Sequence, residues 1–470
     1  MPPGDAVTDS FVGEEQAPRL RFRCNTLVLP KFLITIRTMR QLLGTLFFVS
    51  ALTLSAVLSA QTPSAQKSPP LREGSPQSVG MSADRLARID AIAESAHEDG
   101  DVPGLVALVA RNGKIVYHKA FGVADVASGR ELKKDDIFRI ASQTKAITAT
   151  AVMMLWEEGL FQLDDPISNW IPEFKNAHVL VSYSSTDGAY KTIPAKGEIT
   201  IRQLLTHSSG IGYGFIDVDE RMKLIFKNAG ITDVWTAESV ILADNIKKLA
   251  RLPLHFHPGE RFKYGEGLDV LGYFIEILSG MSFAEFLKTR LFEPLGMNDT
   301  YFYLPESKVG RMVTVHTPKD GKWVKYTGTP GYYDADYPIK GAKSYYGGGG
   351  GLSSTAKDYA TFLQMYLNGG ELNGIRFLSR TTIDTINAFQ VEVGKTKHQG
   401  LVFGVINAKA VSKGGQGSEG TFTWGGYFNS QYFADPNEQI LGVIMKQTKN
   451  QQTDDTSWQF RQLVFQAIDN

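Results

Sequence analysis

The sequence predicts an α+β protein in which an antiparallel sheet is flanked by helices and a mostly helical lobe is inserted at about residues 155–345. Strand patterns occur near both ends of the chain. "GLVALVARNGKIVYHKAFGVAD" (104–125) has the pattern of two strands joined by a tight turn at Asn112-Gly113. Four further strand segments follow late in the chain, namely "FGVINAKA", "GTFTWGGYF", "QYFADPN" and "QILGVIMKQ". Strands at both ends of the chain and helices between them favour a single sheet with an inserted lobe.

The helices are indicated by caps and by apolar periodicity. Ser82 is expected to cap the first helix, and a long helix that is apolar almost all round is predicted from Ser142 to Gly159. The sequence "DTSWQFRQLVFQAI" predicts a last helix. Capping boxes predict two helices of the lobe, at Thr200/Gln203 and at Ser282/Glu285.

The N-terminal region predicts three segments before the folded domain at 81–470. From Met39 a basic start, an apolar run over 42–58 and small residues ending at Ala60 are typical of a secretory signal peptide, so residues 1–38 are interpreted as a mis-assigned upstream extension. Residues 61–80 are rich in Pro, Ser and Gln and are predicted to be a linker. We therefore expect an exported protein, periplasmic or secreted; an uncleaved membrane anchor at 42–58 is the alternative.

Composition restricts the class of partner. Lys+Arg and Asp+Glu both number 49, so no nucleic-acid partner is expected. No stable membrane partner is expected either, unless residues 42–58 stay uncleaved. The one cysteine, Cys24, excludes a disulfide framework and a CxxC metal site. His255 and His257 have no evident third ligand. We expect a small-molecule ester or amide substrate and neither a metal nor a cofactor.

The pattern S-x-x-K occurs three times, and its context separates the matches. Ser64/Lys67 lies in the predicted linker, and Ser354/Lys357 starts a helix whose lysine is free to be solvated. Only Ser142 and Lys145 begin a helix that is apolar almost all round. At this spacing both side chains face the same way. The helix N-terminus favours an alkoxide on Ser142, and burial disfavours the charged form of the Lys145 amine. Lys145 could therefore accept the serine proton. A capping serine beside a snorkelling lysine is the alternative.

Two further segments could complete such a site. Tyr264 follows a Pro-Gly turn and precedes a helix, so its hydroxyl could point into a cleft, although packing is the commoner role of a tyrosine there. Two glycines in the strand segment Trp424-Gly425-Gly426 indicate a close approach to the backbone. The N–H groups of Ser142 and Tyr427 could then form an oxyanion hole, although a β-bulge would explain the glycines equally well.

Ser142-x-x-Lys145, Tyr264 and the glycine-rich strand, in this order, resemble the serine β-lactamase/penicillin-binding-protein superfamily, closest to the class C-like branch and its family VIII carboxylesterases. "ITIRQLLTHSSGI", "PGERFKYGEGLDVLGYFIEILSGMSF", "LFEPLGMNDT" and "GGGGLSSTAKDYATFLQMYLNGG" are similar to that family's framework. The resemblance implies a β-lactamase-like fold with the site between sheet and lobe. It also implies Ser142 as the acylated nucleophile, Lys145 and Tyr264 as the proton-handling pair, and the N–H groups of Ser142 and Tyr427 as the oxyanion donors.

Two departures from the family pattern bear on function. Glu266 stands where the Y-x-N motif has asparagine, and Trp424-Gly425-Gly426 replaces K-T-G in the expected substrate groove. Tryptophan offers an apolar face and one N–H donor and cannot pair with a substrate carboxylate as lysine does. We therefore expect a serine hydrolase that cleaves carboxylic esters. A β-lactamase or D-amino-acid amidase is the alternative within this fold, and a non-catalytic binding or sensor protein is the alternative outside enzymes.

Other signals are weaker. "GQGSEG" (415–420) leads into a strand rather than a helix, which argues against a dinucleotide site. The glycine run at 347–351 lacks the Gly-Lys-Ser/Thr of a P-loop and is interpreted as a loop near the groove. Four aromatic residues could line an acyl pocket or simply pack in the core: Tyr213, Trp235, Tyr345 and Tyr346.

Overall fold

A computed structural model describes residue 68 and residues 70–470, except 331, 413, 415, 452 and 453. Within that part of the chain, ten strands form one sheet. In chain order they are β1 (Arg72–Glu73), β2 (Gly104–Arg111), β3 (Lys114–Asp125), β4 (Arg130–Glu131), β5 (Val391–Val393), β6 (Lys397–Gln399), β7 (Gly404–Ile406), β8 (Phe422–Gly425), β9 (Gln431–Asp435) and β10 (Ile440–Met445). The spatial order is β1-β3-β2-β10-β9-β8-β7-β6-β5, and β4 pairs with β3.

The sheet joins the two ends of the folded region, as the strand patterns predict. β2 pairs antiparallel with β3 through the turn at Asn112 and Gly113, both of which have a positive φ as this turn requires, and with β10 on its other side. One detail differs from the prediction, because β1 pairs parallel with β3 and the sheet is therefore mixed. The segment at 403–410 is also only partly a strand, since β7 ends at Ile406 and a short helix begins at Ala408.

Helices cover the sheet and fill the region between β4 and β5. They are α1 (Ala83–Leu86), α2 (Arg88–Glu98), α3 (Thr144–Glu157), α4 (Ile201–Leu205), α5 (Glu220–Asn228), α6 (Leu242–Leu249), α7 (Gly267–Ser279), α8 (Phe283–Leu287), α9 (Glu293–Leu295), α10 (Glu306–Val309), α11 (Tyr337–Lys340), α12 (Ala356–Leu367), α13 (Arg380–Asn387), α14 (Ala408–Ser412) and α15 (Thr456–Gln466). A π-helical turn occupies Lys288–Phe292, and 3-10 turns occupy Pro76–Val79, Ala141–Gln143, Ile167–Asn169 and Pro172–Phe174.

Short antiparallel strand pairs complete the structure. They are Phe138–Arg139 with Ser353–Ser354, His178–Tyr183 with Tyr190–Pro194, His316–Lys319 with Lys322–Lys325, Gly328–Thr329 with Tyr333–Asp334, and Glu371–Leu372 with Ile375–Arg376. The predicted helix caps are present, because Thr200 and Gln203 form the capping box of α4 and the Ser282 hydroxyl accepts the Glu285 N–H at the start of α8.

The sheet separates two apolar cores. Alternate residues of β2 enter different cores, with Val106 and Leu108 in the larger and Leu105 and Ala107 in the smaller. The larger core contains α3, whose residues from 144 to 155 are all buried, as predicted for a helix that is apolar almost all round. The smaller core lies under α2 and α15.

The structure corrects the predicted linker at 61–80. Its described part contains β1 and the 3-10 turn Pro76–Val79, so residues 72–79 are ordered against β3. The predicted extension at 1–38, the predicted signal peptide at 39–60 and residues 61–67 lie outside the described residues. Among the described helices, none by itself is long and apolar enough to cross a membrane. The segments Gly267–Ser279 and Phe283–Leu295 reach that length and apolar character only when they are taken together, and an 80° bend separates them.

Candidate active site

Ser142 lies at the entry to the buried helix α3. The 3-10 turn Ala141–Gln143 precedes the helix, and Ala141 has a φ of 45°, a left-handed conformation that is uncommon outside glycine. Tyr359 stabilises this turn, since its hydroxyl donates to the Gln143 carbonyl at 2.9 Å. Ser142 is half-buried, whereas the residues around it are buried. The turn therefore directs the serine out of the core and leaves it reachable, at a position held in a strained backbone.

Three side chains that the sequence singled out meet at this point. The hydroxyl oxygens of Ser142 and Tyr264 are 2.6 Å apart, and Nζ of Lys145 is 3.4 Å from Oγ of Ser142. Lys145 is only 1% exposed, so its amine is buried as the sequence predicts. Tyr264 reaches the serine from the segment before α7, which is fixed where the Lys263 N–H donates to the His207 carbonyl at 2.7 Å.

Lys145 has two further partners that the sequence analysis did not assign. Its Nζ donates to the Tyr213 hydroxyl at 2.8 Å and to the Gly349 carbonyl at 2.5 Å. Nζ also lies 4.6 Å from the centre of the Tyr264 ring. Gly349 belongs to the glycine run that the sequence placed near the groove, and a Cβ there would lie 2.2 Å from an Asp269 oxygen. The close approach of backbone to side chains explains glycine at this position.

Three carboxyl groups are buried near Lys145. Asp233 accepts the N–H groups of Gly214 and Phe215 at 3.1 and 2.9 Å, and Asp269 accepts the Gly349 N–H at 3.0 Å. Glu266 is fully buried, and no donor among the described residues serves its oxygens. An ionised Glu266 would therefore be an unpaired buried charge.

The charge state of this carboxyl group follows from its surroundings. Burial and the negative charge of Asp233 raise the pKa of Glu266 well above its usual value, which favours the neutral carboxyl group. Burial also raises the pKa of Asp269 to about 6, against the opposing charge of Lys145. Glu266 thus occupies the asparagine position of the motif as a buried carboxyl group whose neutral form is favoured.

The Trp424-Gly425-Gly426 segment ends β8 beside the serine turn. A Cβ on Gly426 would lie 2.5 Å from the Ile140 carbonyl oxygen and 2.4 Å from the Ser430 hydroxyl, so this close approach needs glycine. Among the described residues, no acceptor bonds the backbone N–H of Ser142 or of Tyr427. The Trp424 ring lies 5.9 Å from the Tyr264 ring, which places an apolar surface next to the serine.

An aromatic cluster adjoins the site. Tyr427 packs against Phe215, Trp235 and Tyr333, with ring centres 5.2 to 6.0 Å apart. Trp235 is anchored by its indole N–H, which donates to the Gly350 carbonyl at 2.8 Å. Of the four aromatics considered from the sequence, Tyr213 and Trp235 lie in this cluster. Tyr345 is buried, and its hydroxyl donates to the Thr232 carbonyl. The Tyr346 hydroxyl donates to the Lys343 carbonyl.

The competing motif matches have other roles. Ser354 is buried with its hydroxyl 2.8 Å from that of Thr300, and Lys357 is exposed. Nε2 of His255 is 2.8 Å from an Asp217 oxygen, while Nδ1 of His257 accepts the Lys196 N–H. The side chains of Ser354, His255 and His257 bond to local structure, and none of them forms a hydrogen bond with Ser142 or Lys145 among the described residues.

A sequence model of the family described as Beta-lactamase matches residues 89–466, most of the described chain. The chain belongs to the beta-lactamase family. Within this family it is a serine hydrolase, in agreement with the Ser-Lys-Tyr arrangement that is typical of the fold. Its mixed sheet flanked by helices is the beta-lactamase-like fold.

Several members of the beta-lactamase family that resemble this chain are named as esterases. Esterase EstB of Burkholderia gladioli is 31% identical, with 75% of this chain and 88% of that protein covered. The lovastatin esterase of Penicillium rubens is 29% identical, with 76% and 91% covered. Among solved structures, "EstCE1, a hydrolase with promiscuous acyltransferase activity" is 25% identical with a TM-score of 0.70 and covers 81% of this chain and 99% of its own.

Proposed function

We propose that this serine hydrolase is an exported esterase that cleaves carboxylic esters through an acyl-enzyme on Ser142. The observation that carries the proposal is the contact of the Ser142 hydroxyl with Tyr264 at 2.6 Å and with the buried Lys145 amine at 3.4 Å. A serine hydroxyl is a weak nucleophile unless a neighbouring group accepts its proton, and these two side chains are within reach to do so.

The reaction has two steps. Oγ of Ser142 attacks the ester carbonyl while its proton passes to the Tyr264–Lys145 pair, and the same proton is returned to the departing alcohol oxygen as the C–O bond breaks. Water then attacks the acyl-serine, gives its proton to the pair, and releases the carboxylic acid as the proton returns to Ser142. The chain supplies every proton acceptor and donor, and water is the only added reactant.

The negative charge of the tetrahedral intermediate needs donors that are not already in use. The backbone N–H groups of Ser142 and Tyr427 meet this requirement, because neither has an acceptor among the described residues. We propose them as the oxyanion hole, with the N-terminal end of α3 adding a favourable dipole. Fixed donors of this kind stabilise the intermediate without reorganising during the reaction.

The substrate class follows from the surface beside the serine. Trp424 stands where a lysine would recognise a carboxylate, and the adjoining cluster is formed by aromatic rings. Neutral substrates with an apolar acyl or alcohol group fit this surface better than charged ones. The esterases among the relatives, EstB and lovastatin esterase, support this preference.

Export is supported by the N-terminal sequence. The basic start at Met39, the apolar run at 42–58 and the small residues ending at Ala60 favour cleavage after the apolar run. Expression of the full chain with mass analysis of the purified protein tests this. A mature chain that begins near residue 61 supports export, whereas a membrane-bound chain that retains 42–58 favours an anchor.

Ester hydrolysis tests the activity. We expect hydrolysis of p-nitrophenyl butyrate, with a loss of at least about 10³-fold in kcat/KM in Ser142→Ala and of about 10²–10⁴-fold in Tyr264→Phe. Lys145→Met should be inactive, while Lys357→Met, which changes the exposed lysine of the other S-x-x-K match, should be unchanged.

Three outcomes would contradict the proposal. Turnover of a chromogenic cephalosporin without ester hydrolysis would indicate a β-lactamase. Modification of Ser142 by a fluorophosphonate without turnover of any ester would indicate a sensor. Full ester hydrolysis in Ser142→Ala would place the chemistry elsewhere.

A further inference from the structure

A second cavity lies between the sheet and the C-terminal helix α15. Its volume is about 340 Å³, and it is lined by residues of β5 to β10 and by the first half of α15. Two of its floor residues, Gly404 and Gly442, lack side chains and lie in the same cross-strand row as Gln399, Thr423 and Phe433. The missing side chains at these two positions, on β7 and on β10, leave room along this row of the sheet.

This cavity is separate from the Ser142 cleft. Its apolar lining residues Phe433, Ile444 and Phe460 belong to the smaller core, whereas α3 lies in the larger core on the other side of the sheet. Trp424 and Gly425 border the cavity as well, and the Trp424 ring also contacts the Tyr264 ring. Trp424 therefore borders both sites, whereas their apolar linings belong to different cores.

Polar donors in the cavity wall are left without partners. Nε of Arg461, Oγ of Ser457 and Nε2 of Gln399 are all buried, and none has a hydrogen-bond partner among the described residues. The three side chains are 6%, 5% and 1% exposed. A buried donor without an acceptor destabilises the folded state, so several in one cavity indicate that an acceptor from outside the chain completes them.

The cavity also carries positive charge that the chain does not neutralise. Lys397 and Arg461 both line it, and no carboxylate of the described residues forms an ion pair with either. Asp435 is the carboxylate whose charge acts on Arg461, but its oxygens accept hydrogen bonds from Ser418 and Thr421. Burial and the charge of Arg461 lower the pKa of Lys397, and burial lowers that of Arg461 to about 10.

The remaining wall is apolar. Phe433, Ile444, Phe460 and Trp458 line the cavity, and His398 borders it with its Nε2 3.0 Å from the Asn387 carbonyl oxygen. Arg461 stacks 5.1 Å from the Phe433 ring, which fixes the guanidinium against this apolar surface. A guanidinium fork matches a carboxylate, and the aromatic walls match an apolar body.

We propose that this cavity binds a small organic carboxylate with an apolar body, whose anionic group contacts Arg461 and Lys397 and accepts hydrogen bonds from Ser457 and Gln399. Such a ligand would satisfy the unpartnered donors, neutralise the two cations and fill the aromatic part of the cavity in one step. The proposal does not depend on the esterase reaction, since it concerns a different site and a binding equilibrium.

Calorimetric titration of the full-length protein with 4-phenylbutyrate tests the proposal. The neutral isostere 4-phenylbutyramide and inorganic phosphate are the comparison ligands. We expect the carboxylate to bind at least tenfold more tightly than either, because the amide lacks the charge and phosphate lacks the apolar body. Lys397→Gln and Arg461→Gln should each weaken its binding at least tenfold, while Lys395→Gln, at a neighbouring exposed lysine, should leave it unchanged.

If Arg461→Gln does not fold, Gly404→Val decides the location. A Cβ at Gly404 meets only ordinary contacts at 3.5 Å or more, so a larger side chain fills the cavity without removing a charge. Unchanged affinity in Lys397→Gln and Gly404→Val would place the carboxylate elsewhere and overturn the proposal. Equal affinity for phosphate, or no binding of 4-phenylbutyrate at millimolar concentration, would overturn it too. Because binding is measured without turnover, none of these results bears on the esterase activity.

Discussion

Nζ of Lys145 lies closer to the hydroxyl oxygen of Tyr213, at 2.8 Å, than to that of Ser142, at 3.4 Å. Tyr213 belongs to the loop whose next two backbone N–H groups, at Gly214 and Phe215, are held by Asp233. The buried amine is therefore positioned by a loop that a carboxylate fixes in place. This arrangement connects Lys145 to residues that no motif identifies.

Replacing Tyr213 by Phe should disturb the amine without unfolding the chain. An intramolecular hydrogen bond contributes about 0.5–1.5 kcal/mol, so we expect the free energy of unfolding to fall by about that amount. We also expect kcat to fall by roughly tenfold or more, because the amine loses a fixed partner and its position relative to Ser142. Urea unfolding and p-nitrophenyl butyrate kinetics measure both effects.

Tyr346→Phe is the matched control for Tyr213→Phe. Its hydroxyl donates to a backbone carbonyl of an exposed segment, away from Ser142. This variant should retain its kcat. Equal losses of kcat in the two variants would show that Tyr213 has no special role in positioning Lys145.

Glu266 is expected to tolerate glutamine at neutral pH. Burial and the charge of Asp233 raise the pKa of Glu266 well above its usual value and so favour its neutral form, which the neutral amide of Glu266→Gln imitates. We expect its kcat/KM to stay within about fivefold of wild type, whereas Glu266→Ala removes a buried polar neighbour of Asp233 and destabilises the fold by about 1–3 kcal/mol.

The pH dependence of stability in these variants gives a second measurement. The unfolded state releases the Glu266 proton above about pH 4.3, whereas the folded state retains it up to the raised pKa, so wild-type stability falls over that interval while Glu266→Gln does not share this loss. The unfolding free energies of the two proteins should therefore diverge from about pH 5 upward. Parallel curves, or an inactive glutamine variant at pH 7, would show that Glu266 acts as an ionised carboxylate.

Trp235 is expected to be a main stabilising residue of the aromatic cluster. It is 2% exposed, contacts several rings and donates to the Gly350 carbonyl, so Trp235→Ala should cost about 3–5 kcal/mol. Phe389→Ala is the control, because Phe389 is 64% exposed and should change stability by less than about 0.5 kcal/mol. Chemical denaturation measures both, and a small effect at Trp235 would contradict the packing described.

Asp358 should make stability depend on pH in the acidic range. It lies near the start of α12, where it accepts the Asp299 N–H at 2.8 Å and the Thr300 hydroxyl at 3.0 Å, and burial raises its pKa to about 6. The folded pKa is above the unfolded value of about 3.9, so the folded state holds more protons between these values. The stability that Asp358 contributes is therefore complete below about pH 4 and is lost as pH rises through about 6.

Asp358→Asn removes this titration. We expect the stability of the variant relative to wild type to rise by on the order of 2 kcal/mol between pH 4 and pH 7. The carboxyl groups near Lys145 titrate in both proteins and cancel in this difference. Urea unfolding at the two pH values is the measurement, and a constant difference would contradict a raised pKa.

Local patterns were sufficient for the elements that carry the chemistry. The apolar helix α3, the turn at Asn112-Gly113 and the capping box at Thr200 were all predictable, because each depends on residues within a few positions of one another. The Ser142–Lys145 pair was selected by its helical spacing, by the apolar helix that it begins and by the resemblance to the β-lactamase family. The parallel pairing of β1 was not predictable, since two residues carry too little periodic signal to set strand direction.

By itself, the sequence determined which helix is buried and which serine begins it, because apolar periodicity and spacing are local properties. Only the tertiary structure decided that Tyr213 and Gly349 hold the Lys145 amine, and that Glu266 meets Asp233. These groups are distant along the chain, and their contacts depend on how the helices pack on the sheet. The charge of a buried group depends on every neighbour that packing brings to it, so no local pattern could have predicted the raised pKa of Glu266.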